Sequence, residues 1–348
     1  MRPLTLSRLL LQCAILGAIL FCVMVIALKF GAVHVSLYGL GRDLLRVLMG
    51  KNTEISSNYS LILNLRLPRI FLSVIVGASL SVAGTSFQAL LRNPLADPYV
   101  LGVSSGAAVG AILALLLEPH LALSPEIASV FTPLGGFLGA SVAITAVYFL
   151  GRREGRIDSS TLLLGGVITA SLLSAVIILL LNTMPSSNVR GMAYWLMGEL
   201  SAVPSRPLAW VLRVGFLVAA AVIYATSSDL NLLLSGEKEA MHLGVDVRRV
   251  RLVVYIAASA LTGLAVAVSG SIGYVGLLVP HVMRMIFGSD HRILIPASAF
   301  GGAIVLVMAD TLARTIVAPA EMPIGVLTAS TITTSRPVCG MRSASVRT

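Results

Sequence analysis

The stretch that decides the fold is RLPRIFLSVIVGASLSVAGTSFQALLR, residues 66–92. Its interior, residues 70–91, holds no charged side chain, and a helix needs about 20 predominantly apolar residues to cross a bilayer. Gly77 and Gly84 lie inside this run. Because small residues let helix backbones approach closely in lipid, the stretch predicts a membrane-spanning helix that packs against other helices.

The composition of the whole chain agrees with this interpretation. Of 348 residues, 57% are hydrophobic and only 11% are charged, and the mean hydropathy is +0.94. A soluble domain carries about 25% charged residues, so this chain has too little polar surface to face water. Aromatic residues are scarce at 6% and glycines number 31, which favours packed helices over a membrane β-barrel. The composition therefore predicts an all-α, polytopic membrane protein.

Nine apolar runs of helical length, followed by a doubtful tenth, are predicted to be spans. The run at 9–28 is longer than a signal peptide's apolar core of about 7–15 residues, so we interpret it as an uncleaved first span. The run at 272–287 contains Gly273, Gly276 and Pro280 and is predicted to be short or broken. The others are residues 70–91, 100–117, 130–150, 162–181, 208–225, 252–270 and 294–317, with the tenth beginning near residue 323.

These runs are assigned to a single transmembrane domain, residues 1–329. An odd number of spans separates the second run from the seventh, so the second-to-fifth and seventh-to-tenth runs would form an inverted repeat. Basic residues crowd the connectors, above all the short loop 151–156, and the positive-inside rule then places the N-terminus in the cytoplasm. The same scattered charges explain the net charge of +10 and form no basic patch for nucleic acid.

Four further stretches are more specific than a generic membrane protein requires. They are RNPLADP at 92–98, LSGEKEAMHLGV at 234–245, GSIGYVGLLVPH at 270–281 and EMPIG at 321–325. In this order and spacing, together with residues 66–92, they resemble the FecCD-type permeases. Those proteins are the membrane subunits of ABC importers for iron–siderophore complexes, haem and cobalamin.

The resemblance implies a ten-helix permease that forms a homodimer in the bacterial inner membrane. A pair of separate ATPase subunits would drive it from the cytoplasm, and a substrate-binding protein would deliver the cargo from outside. The sequence contains no G-x4-G-K-[ST] loop, the usual means of holding the phosphates of ATP, and no metal-ligand spacing or Ser/His/Asp set. We therefore expect a transport subunit rather than an enzyme, with no cofactor or metal of its own.

The longest polar stretch on the predicted cytoplasmic side is residues 229–251. Apolar residues alternate there with charged ones, and an apolar face with charged flanks suits short helices that dock into a partner's groove. The resemblance implies that this is the loop that couples the permease to its ATPase, whereas the sequence alone would equally fit a solvated loop. The coupling residues assigned in this way are Gly236, Glu237, Ala240, Leu243 and Gly244.

Three arginines are candidates for docking the binding protein. Arg66 and Arg69 stand at the predicted outer end of the second span, and Arg314 stands near the outer end of the ninth. By resemblance they meet glutamates of the binding protein, and such charged pairs steer encounter and fix register. Anchoring to lipid headgroups is the alternative for Arg66 and Arg69. For Arg314 the alternative is pairing with Asp310, four residues earlier on the same helix.

The fifth run, residues 162–181, is the candidate for a translocation gate. It carries Gly165, Gly166, Ser171 and Ser174. We expect these residues to give the helix a small face near the axis of the homodimer.

The cargo and the energy source each leave an alternative open. An iron–siderophore complex is expected because it is the commonest cargo of the resembled family, and haem and cobalamin are the alternatives. A secondary transporter driven by an ion gradient is the alternative mechanism. Its support is Asp310, since a carboxylate inside a span is a functional candidate.

The end of the chain departs from the resembled family after Ala329. Residues 330–348 are rich in Ser and Thr and hold Arg336, Arg342 and Arg347. An Arg at the centre of a spanning helix costs about 2.5–3.5 kcal/mol on insertion scales. So abrupt a change of composition is what a shifted reading frame produces, and genuine divergence is the alternative. We expect the tenth helix to be lost or reduced to a stub.

Overall fold

The computed structural model describes residues 5–30, 62–153, 156–318 and 320–334. These residues are almost entirely helical. Within them, the only strands are β1 (Arg152–Arg153) and β2 (Arg156–Ile157), which pair antiparallel. The two strands lie between two long helices of the chain.

Thirteen α-helices run through the described ranges. A π-helical turn, Ile62–Arg66, leads into the second of them, and 3₁₀ turns occupy Pro98–Leu101 and Glu118–His120. The helices are α1 (Leu6–Lys29), α2 (Leu67–Leu91), α3 (Val103–Leu117), α4 (Pro125–Leu150), α5 (Ser159–Thr183), α6 (Ser186–Leu196), α7 (Arg206–Ala225), α8 (Ser227–Ser235), α9 (Glu237–His242), α10 (Val247–Ser269), α11 (Val275–Phe287), α12 (His291–Thr315) and α13 (Ile324–Thr334).

The predicted spans are confirmed as helices. Eight helices of the described chain are long and apolar enough to cross a membrane, namely α1 to α5, α7, α10 and α12. α11 is the short helix expected at 272–287. It begins late because the backbone turns at Tyr274 with a φ of 70°, and it continues through Pro280 without a break. α13 is the beginning of the tenth.

The centre of the bundle is formed by α2, α10 and α12. Their spanning segments are 83%, 72% and 67% buried inside the protein, against 6% for α1. α3 and α4 pack on α10 and on each other, α11 packs on α2 and α12, and α1 packs mainly on α12. The outer helices expose apolar side chains such as Phe21 and Leu217, as a surface that faces lipid should.

Glycines bring pairs of helices into backbone contact. A Cβ added to Gly77 of α2 would lie 2.7 Å from the carbonyl carbon of Gly302 in α12. In the same way, a Cβ on Gly135 of α4 would lie 2.6 Å from the oxygen of Gly110 in α3. Real Cβ atoms do not approach backbone so closely, so glycine at these positions sets the distance between the helices.

The packing supports the predicted inverted repeat. The repeat exchanges the second span with the seventh, the third with the eighth and the fourth with the ninth. The seventh, eighth and ninth spans are α10, α11 and α12. The repeat therefore relates the contact of α2 with α12 to that of α10 with α4, and the contact of α2 with α11 to that of α10 with α3. All four contacts are present. α2 and α10 also pack on each other, so the two halves share one core. The assignment of residues 1–329 to one domain stays a prediction, which this core favours.

The polar end of the chain is described only in part. α13 continues to Thr334 and so carries helix into the first residues of the segment 330–348. Residues 335–348, with the three arginines of that segment, lie outside the described residues. The shifted reading frame therefore stays a prediction.

Gly135→Ala is expected to lower the stability of the protein by about 1–3 kcal/mol, because the added methyl group overpacks the contact between α3 and α4. The measurement is the thermal midpoint of the purified protein in detergent. Gly191→Ala in α6 is the matched control, since an added Cβ there meets nothing within 4 Å. Equal midpoints for the two variants would contradict the assigned contact.

Candidate functional site

The two ends of α2 carry two of the predicted groups of site residues. Arg69 lies in its first turn and Arg92 directly follows its last residue. A helix of 25 residues is about 37 Å long, so roughly the thickness of a bilayer separates the two groups. We call residues 227–251 with Arg92 the coupling end. We call the opposite group the arginine end, and its members are Arg66, Arg69, Asp310, Arg314 and Glu321.

At the coupling end, α8 and α9 form a bent pair of short helices. The bend is at Gly236, whose φ is 139°, and the pair ends at Gly244, whose φ is 87°. Residues with a Cβ rarely adopt these backbone angles, so glycine is required at both points. Gly236 and Gly244 therefore shape the loop rather than contribute a side-chain contact.

The apolar residues of this pair divide into two sets. The buried set joins the core around α2 and α10 and consists of Leu230, Leu233 and Ala240. The exposed set, which we call the apolar patch, consists of Leu234, Met241 and Leu243. The sequence indicated one apolar face, whereas in the structure half of it fastens the pair to the bundle and half lies on the surface.

Ion pairs fasten α9 to two spanning helices. Glu237 pairs with Arg251 of α10, and Arg92 Nη2 lies 4.0 Å from the same carboxylate oxygen. The Glu237 side chain is 36% exposed, so water partly screens these pairs. The geometry nevertheless ties the start of α9 to the end of α2 and to α10.

At the arginine end, a buried carboxylate lies between two guanidinium groups. The Asp310 side chain is 1% exposed, its Oδ1 is 2.8 Å from Arg69 Nε, and its Oδ2 is 3.1 Å from Arg314 Nε. Arg69 also pairs with Glu321, at 2.9 Å between Nη1 and Oε2. The four groups joined by these ion pairs carry two positive and two negative charges, and buried charges need such pairing.

The three predicted docking arginines are buried. Arg66, Arg69 and Arg314 each expose 9% of their surface or less. Arg66 Nη1 donates to the main-chain oxygen of Leu28 at 2.7 Å, which links the start of α2 to the end of α1. The pairing of Arg314 with Asp310, weighed from the sequence, is present. The docking role itself stays a prediction.

A cavity of about 440 Å³ opens at the arginine end. Its lining includes Arg69, Tyr194, Glu199 and Glu321. A carboxylate of a partner protein could therefore approach Arg69 on the side where Glu321 now pairs with it.

The four predicted gate residues of α5 do not form one face. Gly165 and Gly166 are buried against the chain itself, and a Cβ on Gly166 would lie 2.5 Å from the oxygen of Val100. Ser171 and Ser174 are exposed. A helix turns by about 100° per residue, which sets Gly165 and Ser174 on opposite sides. The expected single small face is therefore absent, and the gate role of all four residues stays a prediction.

Two partnerships were missed from the sequence. Glu321 pairs with Arg69, and Asn231 hydrogen-bonds to Asp290 and His291. Glu321 opens the stretch EMPIG and Asp290 precedes α12, so both were visible as polar residues beside apolar runs. Only the packing of distant helices shows which groups they touch.

The sequence of this chain matches a known family. The FecCD transport family matches residues 8–334. The chain belongs to this family. The hemin transport system permease protein HmuU of Yersinia pestis is 44% identical over 273 residues, 76% of this chain and 78% of the relative. The cobalamin import system permease protein BtuC of Halobacterium salinarum is 42% identical over 266 residues, 76% of this chain and 69% of the relative.

Solved structures agree with this membership. The FecCD chain superposes with a TM-score of 0.76 and 30% identity on an ABC transporter assigned to the metal-chelate type, in an inward-facing conformation, covering 93% of this chain and 96% of that one. PsaBC from Streptococcus pneumoniae, at a TM-score of 0.54 and 16% identity, shows the fold alone. This FecCD protein is thus a multi-pass permease of the ABC importer type, a transport subunit rather than an enzyme.

Asp310→Ala in this FecCD permease is expected to lower stability by about 3–5 kcal/mol, because it leaves two buried guanidinium groups without their shared carboxylate. Glu321→Ala is the matched control, since it truncates an acid of the same cluster whose side chain is 47% exposed. Its cost should stay under about 1 kcal/mol. The thermal midpoints of both variants are measured in detergent. A midpoint for the Glu321 variant that is lower than that of the Asp310 variant would show that Asp310 is not the central charge.

Proposed function

We propose that this protein is the membrane subunit of an ATP-driven importer that carries an iron–siderophore complex across the bacterial inner membrane. A homodimer of the chain, with its N-termini in the cytoplasm, would bind a pair of ATPase subunits there. A substrate-binding protein would deliver the cargo to the opposite face. The observation that carries this proposal is the exposed apolar patch on helices that are themselves fastened to the bundle.

The apolar patch fits a protein partner better than it fits lipid. The charged or titratable residues around it that are exposed are Lys238, Glu239, His242, Asp246, Arg248 and Arg249, and charged side chains avoid the hydrocarbon region. Exposed apolar side chains flanked by charge suit a groove on a partner protein. Because this sequence lacks the usual phosphate-binding loop, we assign ATP hydrolysis to that partner.

The arginine end supports docking by exchange of ion pairs. Glu321 is half-exposed and borders the same cavity as Arg69. A carboxylate from the binding protein could replace Glu321 on Arg69 without changing the number of ion pairs, while Asp310 keeps Arg314 paired. Such an exchange would fix the register of the docked protein more than it would add affinity.

The cargo is proposed from the chemical class that the relatives share. The names of the relatives specify haemin and cobalamin, and the similar solved structure is described as of the metal-chelate type. All of these are large metal chelates. An iron–siderophore complex belongs to the same class.

The exposed side of α5 supports contact between two copies of the chain. Leu164, Ile168 and Leu172 expose 61%, 56% and 65% of their surface, and Ser171 lies between them in sequence. We propose that this side lies near the axis of the homodimer, where Ser171 and Ser174 would border the path of the cargo.

A secondary transporter driven by an ion gradient remains the alternative, with Asp310 as its candidate ion-binding group. A carboxylate that carries an ion has to exchange partners during transport. Asp310 is held between Arg69 and Arg314, so the pairing favours a structural role for it.

Uptake in proteoliposomes decides between the two mechanisms. The permease, reconstituted with its ATPase and binding protein, is expected to accumulate a radio-iron ferric hydroxamate siderophore when ATP is supplied, and not when a proton or sodium gradient is supplied alone. Gradient-driven uptake without ATP would favour the alternative. ATP-driven uptake of haemin or cobalamin instead would keep the mechanism and overturn the assigned cargo.

Glu237→Lys is expected to lower the uptake per ATP hydrolysed by about tenfold, a coupling effect of ordinary size. The reason is that a third cation would replace the carboxylate that holds Arg92 and Arg251. Uptake and ATP turnover are measured in the same proteoliposomes. Glu126→Lys, which reverses an exposed acid in the first turn of α4, is the matched control. An unchanged ratio in the Glu237 variant would remove these ion pairs from the coupling pathway.

A further inference from the structure

The first coupling helix, α8, is fastened to the start of α12 by three polar side chains. Asn231 Nδ2 donates to Asp290 Oδ1 at 2.7 Å. Asn231 Oδ1 accepts from the main-chain N–H of His291 at 2.8 Å and also lies 2.8 Å from His291 Nδ1. We call Asn231, Asp290 and His291 the α8–α12 clamp. Both ends of the Asn231 amide are therefore used to hold α12.

The hydrogen bonds of the clamp have a defined direction. The Asn231 oxygen can only accept, so His291 Nδ1 carries the proton and donates it. A flipped amide would turn the NH₂ group of Asn231 towards two donors, so the network fixes its orientation. His291 is 1% exposed, and its Nε2 has no hydrogen-bond partner among the described residues. The His291 side of the clamp is thus shielded from water, whereas the Asp290 side chain is 28% exposed.

Asp290 is the charged member of the clamp. Its carboxylate accepts hydrogen bonds from Arg292 as well as from Asn231. Those from Arg292 above all, and also the one from Asn231, hold the pKa of Asp290 at about 2 against the opposing effect of burial. The group is therefore ionised at any physiological pH. A hydrogen bond to an ionised acceptor is stronger than one between neutral groups.

α12 leads from the clamp to the arginine end. It begins at His291 and carries Asp310 and Arg314 in its last turns. It also packs backbone to backbone on α2 at Gly302, and such close-packed interiors transmit displacement rather than absorb it. A shift of α8 that reaches His291 is thus passed along α12.

The second coupling helix has a different attachment. Glu237 at the start of α9 pairs with α10 and lies near the end of α2, and it has no part in the clamp. The polar side chains of the two short helices are therefore bonded to different spans, and α8 is the one whose polar side chain holds α12.

We infer that Asn231 and His291 are positioning residues of the transport cycle, which carry displacement of the coupling helices into α12 and through it to the ion pairs of the arginine end. This inference rests on the proposed function, in which α8 and α9 bear on an ATPase. Without the clamp, α8 moves while α12 stays in place. ATP is then hydrolysed without a change at the arginine end.

Asn231→Asp tests the clamp in the full assembly of permease, ATPase and binding protein. The substitution keeps an acceptor for the N–H groups of His291, but it removes the donor and places two carboxylates face to face. Uptake per ATP hydrolysed is expected to fall by about tenfold. ATP turnover is expected to stay within about twofold of the wild type, because the apolar patch and the ion pairs of α9 are untouched.

Combining Asn231→Asp with Asp290→Asn exchanges the two groups. The new amide at position 290 can donate to the new carboxylate at position 231, which rebuilds the clamp in the reverse direction. Its NH₂ group then takes the place of Asp290 Oδ1, which accepts from the main-chain N–H and the Nε–H of Arg292, so the exchange gives up those two bonds at the start of α12. Uptake per ATP is expected to return to within about threefold of the wild type, as a coupled pair should in a double-mutant cycle. If the clamp were merely structural, the substitutions would lower the protein yield and the thermal midpoint and would leave the uptake per ATP hydrolysed unchanged.

Ser129→Asp is the control, since it adds the same charge at an exposed position of α4 whose hydroxyl donates to the main-chain oxygen of Glu126 in its own helix. The probes are radio-iron ferric hydroxamate siderophore, haemin and cobalamin, and the one that the wild type accumulates is used. An unchanged ratio in Asn231→Asp overturns the inference, as does a parallel loss of turnover, uptake and thermal midpoint that the double variant does not recover. A wild type that takes up none of the three with ATP overturns the proposed function instead.

Discussion

The contact between α2 and α12 at Gly77 and Gly302 decides where the polar groups of this protein can lie. In lipid, bringing two apolar helices together releases no ordered water, so close packing has to supply the attraction. A larger residue at either glycine would push the helices apart, and Asp310 would then lie beyond hydrogen-bond reach of Arg69. At the other end of the same pair, α2 and α12 carry the attachment points of α9 and α8.

Charge in the bundle follows this geometry. Asp310 is buried and serves two arginines at once, whereas Glu321 shares Arg69 from a half-exposed position. Buried charge is tolerated only when it is paired, so the inner carboxylate is fixed, while the outer one faces water and can be exchanged at lower cost. A protein that must receive a partner on one face gains from keeping its fixed and its exchangeable pairs on the same arginine.

The helices could be predicted from the sequence because apolar length is a local property, and the pairing of Asp310 with Arg314 could be weighed because four residues separate them on one helix. The partner of Arg69 could not, since Glu321 lies 252 positions away and meets it only through tertiary packing. The small residues of α5 misled for a related reason. Composition gives their size but not the side they face, so Gly165 and Ser174 were grouped although the helix sets them apart. The burial of Leu233 beside exposed Leu234 was equally invisible.

The isolation of α1 bears on how this protein is synthesised. Only 6% of its span is buried, and its main packing partner is α12. At about 5–20 residues per second, a ribosome takes on the order of tens of seconds to translate from Lys29 to His291. Throughout that interval α1 has lipid or the insertion machinery as its neighbour instead of its final partner. Its apolar surface, which includes exposed Leu10, Leu11 and Phe21, is stable in lipid during that time, whereas a charged residue near its centre would cost about 2.5–3.5 kcal/mol at insertion.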